Sequence, residues 1–101
     1  MPGIVRIGDT VNTHHGCTSS TTITKAAPRT DTVFIDGIAV ALAGDKTPIH
    51  SYGGRNCSAT HQVAFSNGSS TVFANGIALL RIGDTSSSEE LTGGSGSVIA
   101  G

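Results

Sequence analysis

The chain has 101 residues, which is the size of one domain and leaves no room for a second core. Six basic and seven acidic residues give a net charge of −1 without a cluster of Lys and Arg, which argues against nucleic acid as a partner. Hydrophobic residues make up 37% of the chain, aromatic residues only 4%, and Trp is absent, so we expect a thin core of Ile, Val, Ala and Leu.

The first predicted strand ends in a sequence motif that occurs three times in the chain. Residues 4–10 read IVRIGDT, residues 40–46 read VALAGDK and residues 79–85 read LLRIGDT, so an apolar strand ends in Gly-Asp each time. This recurrence indicates an internal repeat. In each pair, we expect Gly to free the backbone at the strand end and Asp to cap the turn through backbone N–H groups. Acid-base catalysis by these separated carboxylates is not expected.

The second and third copies contain a predicted β-hairpin. Residues 33–40 (VFIDGIAV) align without a gap with residues 72–79 (VFANGIAL). Their Asp-Gly and Asn-Gly pairs favour a tight primed turn, which needs positive φ at both central residues. Residues 96–101 (GSVIAG) are similar to the start of this phrase and stop where the turn would come. Read circularly, the chain holds three similar units, and we predict one domain over residues 1–101 with no extension domain.

Two long connections separate the units, over residues 11–28 and 47–68. They contain all four histidines and both cysteines. Connections longer than about 12–15 residues are usually functional or disordered, and ligand-type residues favour a functional role. No sustained helical spacing of apolar residues occurs, which predicts an all-β fold.

The chain shows no sign of a membrane span or an export signal. No apolar run approaches the roughly 20 residues that a membrane-spanning helix needs. Residues 1–3 lead directly into the first predicted strand, so we expect no signal peptide and synthesis in the cytoplasm. Any export would use another route.

The histidines occupy related positions in the repeat. His14 and His50 each lie five residues after the Asp of a Gly-Asp pair, and the third unit has Glu89 at that place. If three similar units surround a common axis, such matching positions converge. Cys57 and His61, four residues apart in the second connection, can complete a ligand set.

Three imidazoles and one thiolate form a closed tetrahedral site, the arrangement that structural Zn²⁺ prefers. A closed set leaves no open position for catalysis. We therefore predict structural Zn²⁺, rather than iron, with no catalytic residues. The predicted metal ligands are His14, His50, Cys57 and His61.

Two neighbouring residues leave alternatives open. His15 is the rival to His14, because adjacent side chains of an extended segment point to opposite faces and at most one is expected to bind. Cys17 is a small buried hydrophobe, a substitute ligand or an idle thiol. Cys17 and Cys57 could pair, but a cytosolic chain normally keeps its thiols reduced, which favours a metal-bound thiolate.

These phrases resemble the PAAR-repeat family over essentially the whole chain. The name-giving Pro-Ala-Ala-Arg string is absent, and residues 78–81 (ALLR) and, more loosely, 39–42 (AVAL) stand in its place. The segments that carry the resemblance are residues 69–84 (SSTVFANGIALLRIGD), 33–45 (VFIDGIAVALAGD), 7–9 (IGD) and 98–101 (VIAG).

The resemblance implies a small conical domain of β-hairpins with pseudo-threefold symmetry. Such a domain caps and sharpens a trimeric β-helical spike, VgrG-like or of a phage tail, in a contractile injection machine that punctures a cell envelope. Family members hold Zn²⁺ near the tip with three His and one Cys. It also implies one copy per spike, effectors on the sides, no stable membrane insertion, and delivery from the cytoplasm to the outside. Phage tail and type VI secretion needle both stay open.

Two other functions are weighed against this one. A metal-dependent hydrolase would need an open coordination site and a general base such as Glu89 or Glu90. A free-standing zinc carrier would exchange its metal easily and ignore any trimeric spike.

Overall fold

The computed structural model describes residues 2–26, 29 and 31–99. Within these residues the architecture is all-β, as predicted, with one short 3₁₀ turn over Arg55–Cys57. Its principal extents are 41 × 28 × 23 Å. None of the helical structure in the described ranges is long and apolar enough to cross a bilayer. The strands are β1 Thr10–Asn12, β2 Ser20–Thr22, β3 Phe34–Ile35, β4 Ile38–Ala39, β5 His50–Gly53, β6 Ala59–His61, β7 Phe73–Ala74, β8 Ile77–Ala78, β9 Thr85–Ser86 and β10 Glu89–Leu91.

The strands form one four-stranded sheet and three two-stranded sheets, all antiparallel. The larger sheet has the order β2-β1-β10-β9, with Val11 opposite Thr21 on one side and Leu91 on the other. The small sheets are the hairpins β3-β4, β5-β6 and β7-β8. The all-β prediction is confirmed, but the strands are shorter than the apolar runs suggest.

The two predicted hairpin turns are confirmed. Asp36 and Gly37 join β3 to β4 with φ of 54° and 77°, and Asn75 and Gly76 join β7 to β8 with φ of 52° and 79°. Positive φ at both central residues is the requirement of a tight primed turn. Asp-Gly and Asn-Gly therefore fix the register of both hairpins.

A third copy of the β3-β4 and β7-β8 hairpin is formed by residues 3–4 and 98–99, and we call these three pairings, which do not include β5-β6, the repeat hairpins. Gly3 pairs with Ile99 in an antiparallel bridge. The Ile4 N–H donates to the Val98 carbonyl at 3.0 Å. Equivalent bonds, from Val40 to Val33 at 3.2 Å and from Leu79 to Val72 at 3.1 Å, close the other two hairpins. The two ends of the chain therefore pair as residues 33–40 and 72–79 do.

The three Gly-Asp corners share one conformation. Gly8, Gly44 and Gly83 have φ of 94°, 100° and 97°, a region that favours glycine. Each Asp carboxylate accepts a hydrogen bond from the backbone N–H three residues earlier, which confirms the predicted cap. The donors are Arg6 to Asp9 at 2.7 Å, Leu42 to Asp45 at 2.8 Å and Arg81 to Asp84 at 2.8 Å.

The three units meet in a closed ring of backbone hydrogen bonds. Val5 donates to Leu80 at 3.0 Å, Leu80 to Ala41 at 3.0 Å, and Ala41 back to Val5 at 2.8 Å. All three residues are fully buried. They belong to the main core, which consists of Val5, Val11, Ile23, Ala41, Val63, Phe65, Leu80 and Leu91.

An arginine stands two residues before Gly in the first and third corners but not in the second. Arg6 pairs with Asp9 at 3.1 Å, and Arg81 pairs with Asp84 at 3.0 Å. The second unit has Leu42 at that place. Its buried carboxylate therefore needs a cation from elsewhere in the chain.

Arg29 supplies that cation from a distant segment. Its Nη2 lies 2.8 Å from Oδ2 of Asp45, which is only 1% exposed. The hydrogen bond to Asp45 raises the pKa of the Arg29 guanidinium, and a second bond reaches Asp31. Hydrogen bonds from Lys25 and Arg29 lower the pKa of the Asp31 carboxyl. Arg29 lies outside the repeated segments, so the repeat pattern does not predict this replacement.

Removing Arg29 is expected to destabilise the protein more than removing a corner arginine. Arg29→Met leaves the Asp45 carboxylate buried without its guanidinium, which costs about 3 kcal/mol. Arg81→Met is the matched control, and we expect about 1 kcal/mol because Asp84 is more accessible to water. Urea unfolding of both variants gives the two values. Equal losses would contradict this interpretation of the second corner.

Candidate metal centre

Four side chains converge on one buried point. Glu89, the first residue of β10, is fully buried. Its Oε2 lies 2.7 Å from Nε2 of His50, 2.7 Å from Nε2 of His61 and 3.3 Å from Nε2 of His15. The Nε2 atoms of His50 and His61 are themselves 3.0 Å apart. One potential ligand atom each of His15, His61 and Glu89 lies within 4.8 Å of the other two, and His50 contacts the same carboxylate oxygen from the side of His61.

The four residues come from two different sheets. His50 at the start of β5 and His61 at the end of β6 are directly paired across the β5-β6 hairpin. His15 follows β1, and Glu89 begins β10, both of which belong to the four-stranded sheet. The cluster thus lies at the boundary between these sheets.

The His50 ring is oriented by its own loop. Its Nδ1 lies 2.9 Å from the Pro48 carbonyl and 3.4 Å from Oγ1 of Thr47. A carbonyl oxygen only accepts a hydrogen bond, so the Nδ1–H group of His50 is the donor to the Pro48 carbonyl. The neutral ring then has its lone pair at Nε2, the arrangement of a metal-ligating histidine. A lone pair 2.7 Å from a carboxylate oxygen is favourable only with a cation or an added proton between them.

Two buried polar atoms of the cluster have no hydrogen-bond partner. Among the residues that the structure describes, these are Nε2 of His15 and Oε1 of Glu89. Buried polar atoms without a partner are rare and need an explanation. A divalent cation supplies one, because imidazole nitrogen and carboxylate oxygen are both ligands of Zn²⁺ and other first-row metals. The ligand types therefore fit a metal ion.

Aromatic packing covers one side of the cluster. The Tyr52 ring stacks on His61 with centroids 4.2 Å apart and planes 15° from parallel. His15 meets His61 edge-on at 5.3 Å. These contacts restrict the two imidazoles that are nearer to solvent, while His50 is held by Pro48.

The structure brings His15, and not the preferred His14, into the cluster. His14 is exposed, has φ of 57°, and places Nε2 3.6 Å from Oε1 of Glu90. The left-handed residue adds one position to the first unit, so the ligand-type side chain lies six residues after Asp9 rather than five. The fixed spacing from Gly-Asp was therefore misleading in this unit.

The expected thiolate is replaced by a disulfide. Cys57 is bonded to Cys17, with their Cα atoms 5.7 Å apart. This corrects the expectation of reduced thiols and of a Cys57 thiolate in the ligand set. The 3₁₀ turn that contains Cys57 lies beside the segment after His15. Residue spacing along the sequence does not predict this contact.

Glu89 takes the fourth place in the cluster. It lies at the position of His50, five residues after its Gly-Asp pair, although the sequence alone did not place it among the predicted ligands. A carboxylate is a metal ligand in its own right. The positional match was the signal that could have identified it.

The fold and the cluster define a class of small, repeat-built β domains with a buried His and carboxylate centre. The model of the PAAR motif family matches residues 8–89, and the chain belongs to this family. The resemblance predicted from the sequence is confirmed. No curated protein is similar enough to count as a match. The PAAR motif suggests a spike-tip role in contractile injection systems, and the family is structural rather than enzymatic.

Replacing His15 and His14 in turn distinguishes the two neighbours. We expect His15→Ala to weaken binding of Zn²⁺ at least tenfold, because it removes a ligand from the cluster. His14→Ala, an exposed side chain outside it, should bind as the wild type does. Titration against a chromophoric chelator measures both affinities. Greater damage from His14→Ala would overturn the assignment.

Proposed function

We propose that this protein is a metal-stabilised tip that caps the trimeric β-helical spike of a contractile injection machine. The observation that carries the proposal is the placement of exposed apolar side chains at matching positions of the three repeat hairpins, in a chain that belongs to the PAAR family. The spike would belong to a phage tail or a type VI secretion needle. The tip would be made in the cytoplasm and delivered outside the cell.

Eight large hydrophobic side chains are exposed on β3-β4, on β7-β8 and on the equivalent pairing of residues 3–4 with 98–99. Phe34 is 55% exposed, and its equivalents Phe73 and Ile99 are 54% and 53% exposed. Apolar residues grouped in this way mark interaction surfaces more often than solitary ones do. The full set is Val33, Phe34, Ile38, Val72, Phe73, Ile77, Val98 and Ile99. We call this set the hairpin surface.

The repeat matches a partner with three identical chains. The ring of hydrogen bonds through Val5, Ala41 and Leu80 supports a pseudo-threefold arrangement of the units. One chain with three near-equivalent surfaces can offer each chain of a trimer almost the same contact. Among the described residues no third strand pairs with β3-β4 or β7-β8, so strands of a spike could continue these two sheets.

A cavity of about 140 Å³ lies between the β3-β4 and β7-β8 hairpins. It has room for an apolar side chain of the spike. Its apolar lining comes from Val33, Val40, Leu42, Ala74 and Ile77. Its polar lining comes from Arg29, Asp31, Thr32 and Asn75.

The metal in this proposal is structural. With His50 as a fourth ligand beside His15, His61 and Glu89, the site would be a closed tetrahedral Zn²⁺ site without a position for a reacting water, which would favour a structural role over hydrolysis. The ion would join two sheets in a domain with a thin core. Metal binding in small zinc peptides is worth roughly 10–16 kcal/mol, and such a contribution would resist opening under force. Zn²⁺ is proposed ahead of iron.

Removal of the metal should lower thermal stability. We expect the Zn²⁺-loaded protein to melt about 15 °C above the chelator-treated protein, because an ion that binds only the folded state at 1,000 times its Kd adds about 4 kcal/mol. Calorimetry with and without a chelator, beside metal quantification, measures the difference. A wild type without stoichiometric metal, or with an unchanged melting temperature, would overturn the structural role.

Charges on the hairpin surface should abolish capping. We expect Phe34→Asp combined with Phe73→Asp to reduce binding to the spike protein of the same gene cluster at least 100-fold. Burial of each Phe side chain contributes about 1.5–3 kcal/mol to the free energy of binding. Ile49→Asp is the matched control, since Ile49 is 70% exposed but lies outside the hairpin surface. Co-purification followed by light scattering gives affinity and stoichiometry.

One tip per spike trimer for the wild type and for Ile49→Asp supports the proposal. Equal binding by the double Asp variant, or equal loss with Ile49→Asp, contradicts it. A tip that never binds a trimeric spike but exchanges zinc freely would instead indicate the carrier function.

A further inference from the structure

We propose that the Cys17–Cys57 disulfide is a redox-controlled lock on the metal centre. The ion exchanges quickly with solution while the two cysteines are reduced and slowly once they are joined. This inference rests on the proposed metal centre and adds its regulation. It follows from where the disulfide lies relative to the ligands and from the backbone that it holds.

The proposed metal centre lies between two separate sheets. Glu89 and His15 belong to the four-stranded sheet and its loop, whereas His50 and His61 belong to the β5-β6 hairpin. Losing an ion from such a site requires the two ligand groups to separate. Anything that holds the sheets together keeps the effective concentration of the ligands high.

The disulfide crosses the same boundary beside the ligands. Cys17 lies two residues after His15, and Cys57 lies four residues before His61. The bond therefore ties the loop that carries one imidazole to the hairpin that carries the other two. The disulfide is a covalent cross-link between the two segments that would bind the ion.

The backbone at Cys57 is held by the disulfide together with two backbone hydrogen bonds, from Cys57 to Gly54 at 3.2 Å and from Ser58 to Arg55 at 3.1 Å. Asn56 and Cys57 have φ of 55° and 56°, so two consecutive residues other than glycine are left-handed. Such residues carry strain and persist only where their surroundings enforce the conformation. Cutting the cross-link lets the 3₁₀ turn relax and frees the hairpin end that leads to His61.

The bond is open to reduction from solution. Cys57 and its neighbours Asn56 and Ser58 are exposed. Two molecules of a small thiol reduce the disulfide by exchange: the S–S bond breaks, two protein thiols form, and the small thiols leave joined as their own disulfide. The cytosol keeps thiols reduced, and the exterior allows them to oxidise. Metal would thus be loaded in the open state and retained in the locked state.

Metal release rates test the lock directly. The Zn²⁺-loaded wild type is prepared oxidised and, in a second sample, reduced with a phosphine, and each is mixed with excess chromophoric chelator. We expect release at least tenfold faster from the reduced sample, with metal bound at one ion per chain in both before mixing. Circular dichroism checks that both remain folded.

Cys17→Ser combined with Cys57→Ser is the matched control. It should release metal at the fast rate with or without phosphine, which excludes metal extraction by the reductant. Equal rates for oxidised and reduced wild type, with one ion bound, overturn the lock and leave the metal centre intact. Slower release after reduction also overturns it, because a freed thiolate would then be a ligand. Oxidised protein without bound metal overturns both proposals.

Discussion

The structure depends on a ring of three backbone hydrogen bonds at the centre of the core. Val5, Ala41 and Leu80 each donate to one neighbour and accept from the other, and all are fully buried. Separating one unit from the other two would leave a buried N–H donor and a buried carbonyl acceptor without partners. Such unpaired groups cost free energy where water cannot replace the lost hydrogen bonds. The three units are therefore expected to fold together, and the pairing of Gly3 with Ile99 closes the circle.

The His and Glu89 cluster lies away from this ring, at the boundary between the four-stranded sheet and the β5-β6 hairpin. Glu89 is fully buried there among three imidazoles. A buried carboxylate without a cation is expensive, and the orphaned Oε1 shows that hydrogen bonds alone do not satisfy it. An ion would compensate that charge and join the two sheets at once. The disulfide fastens the same boundary by a covalent route.

Local turn chemistry explains what the sequence could predict. Asp36-Gly37 and the Gly-Asp corners need particular φ values and caps, so neighbouring residues determine them and the repeat exposes them three times. The remaining features depend on one local backbone irregularity and on contacts between distant parts of the chain. The left-handed residue His14 puts His15 rather than His14 beside Glu89, and the partner of Cys57 lies 40 residues away. Arg29 replaces a corner arginine from outside the repeat, which no periodicity encodes.

The stacking of Tyr52 on His61 has a practical consequence. Tyr52 is the only tyrosine of a chain without tryptophan, so it is the sole strong intrinsic fluorophore. Its ring lies 4.2 Å from an imidazole of the cluster. Any change in the electronic state of that imidazole alters emission from its stacked neighbour. If an ion binds as proposed, Tyr52 would report its arrival without an attached dye.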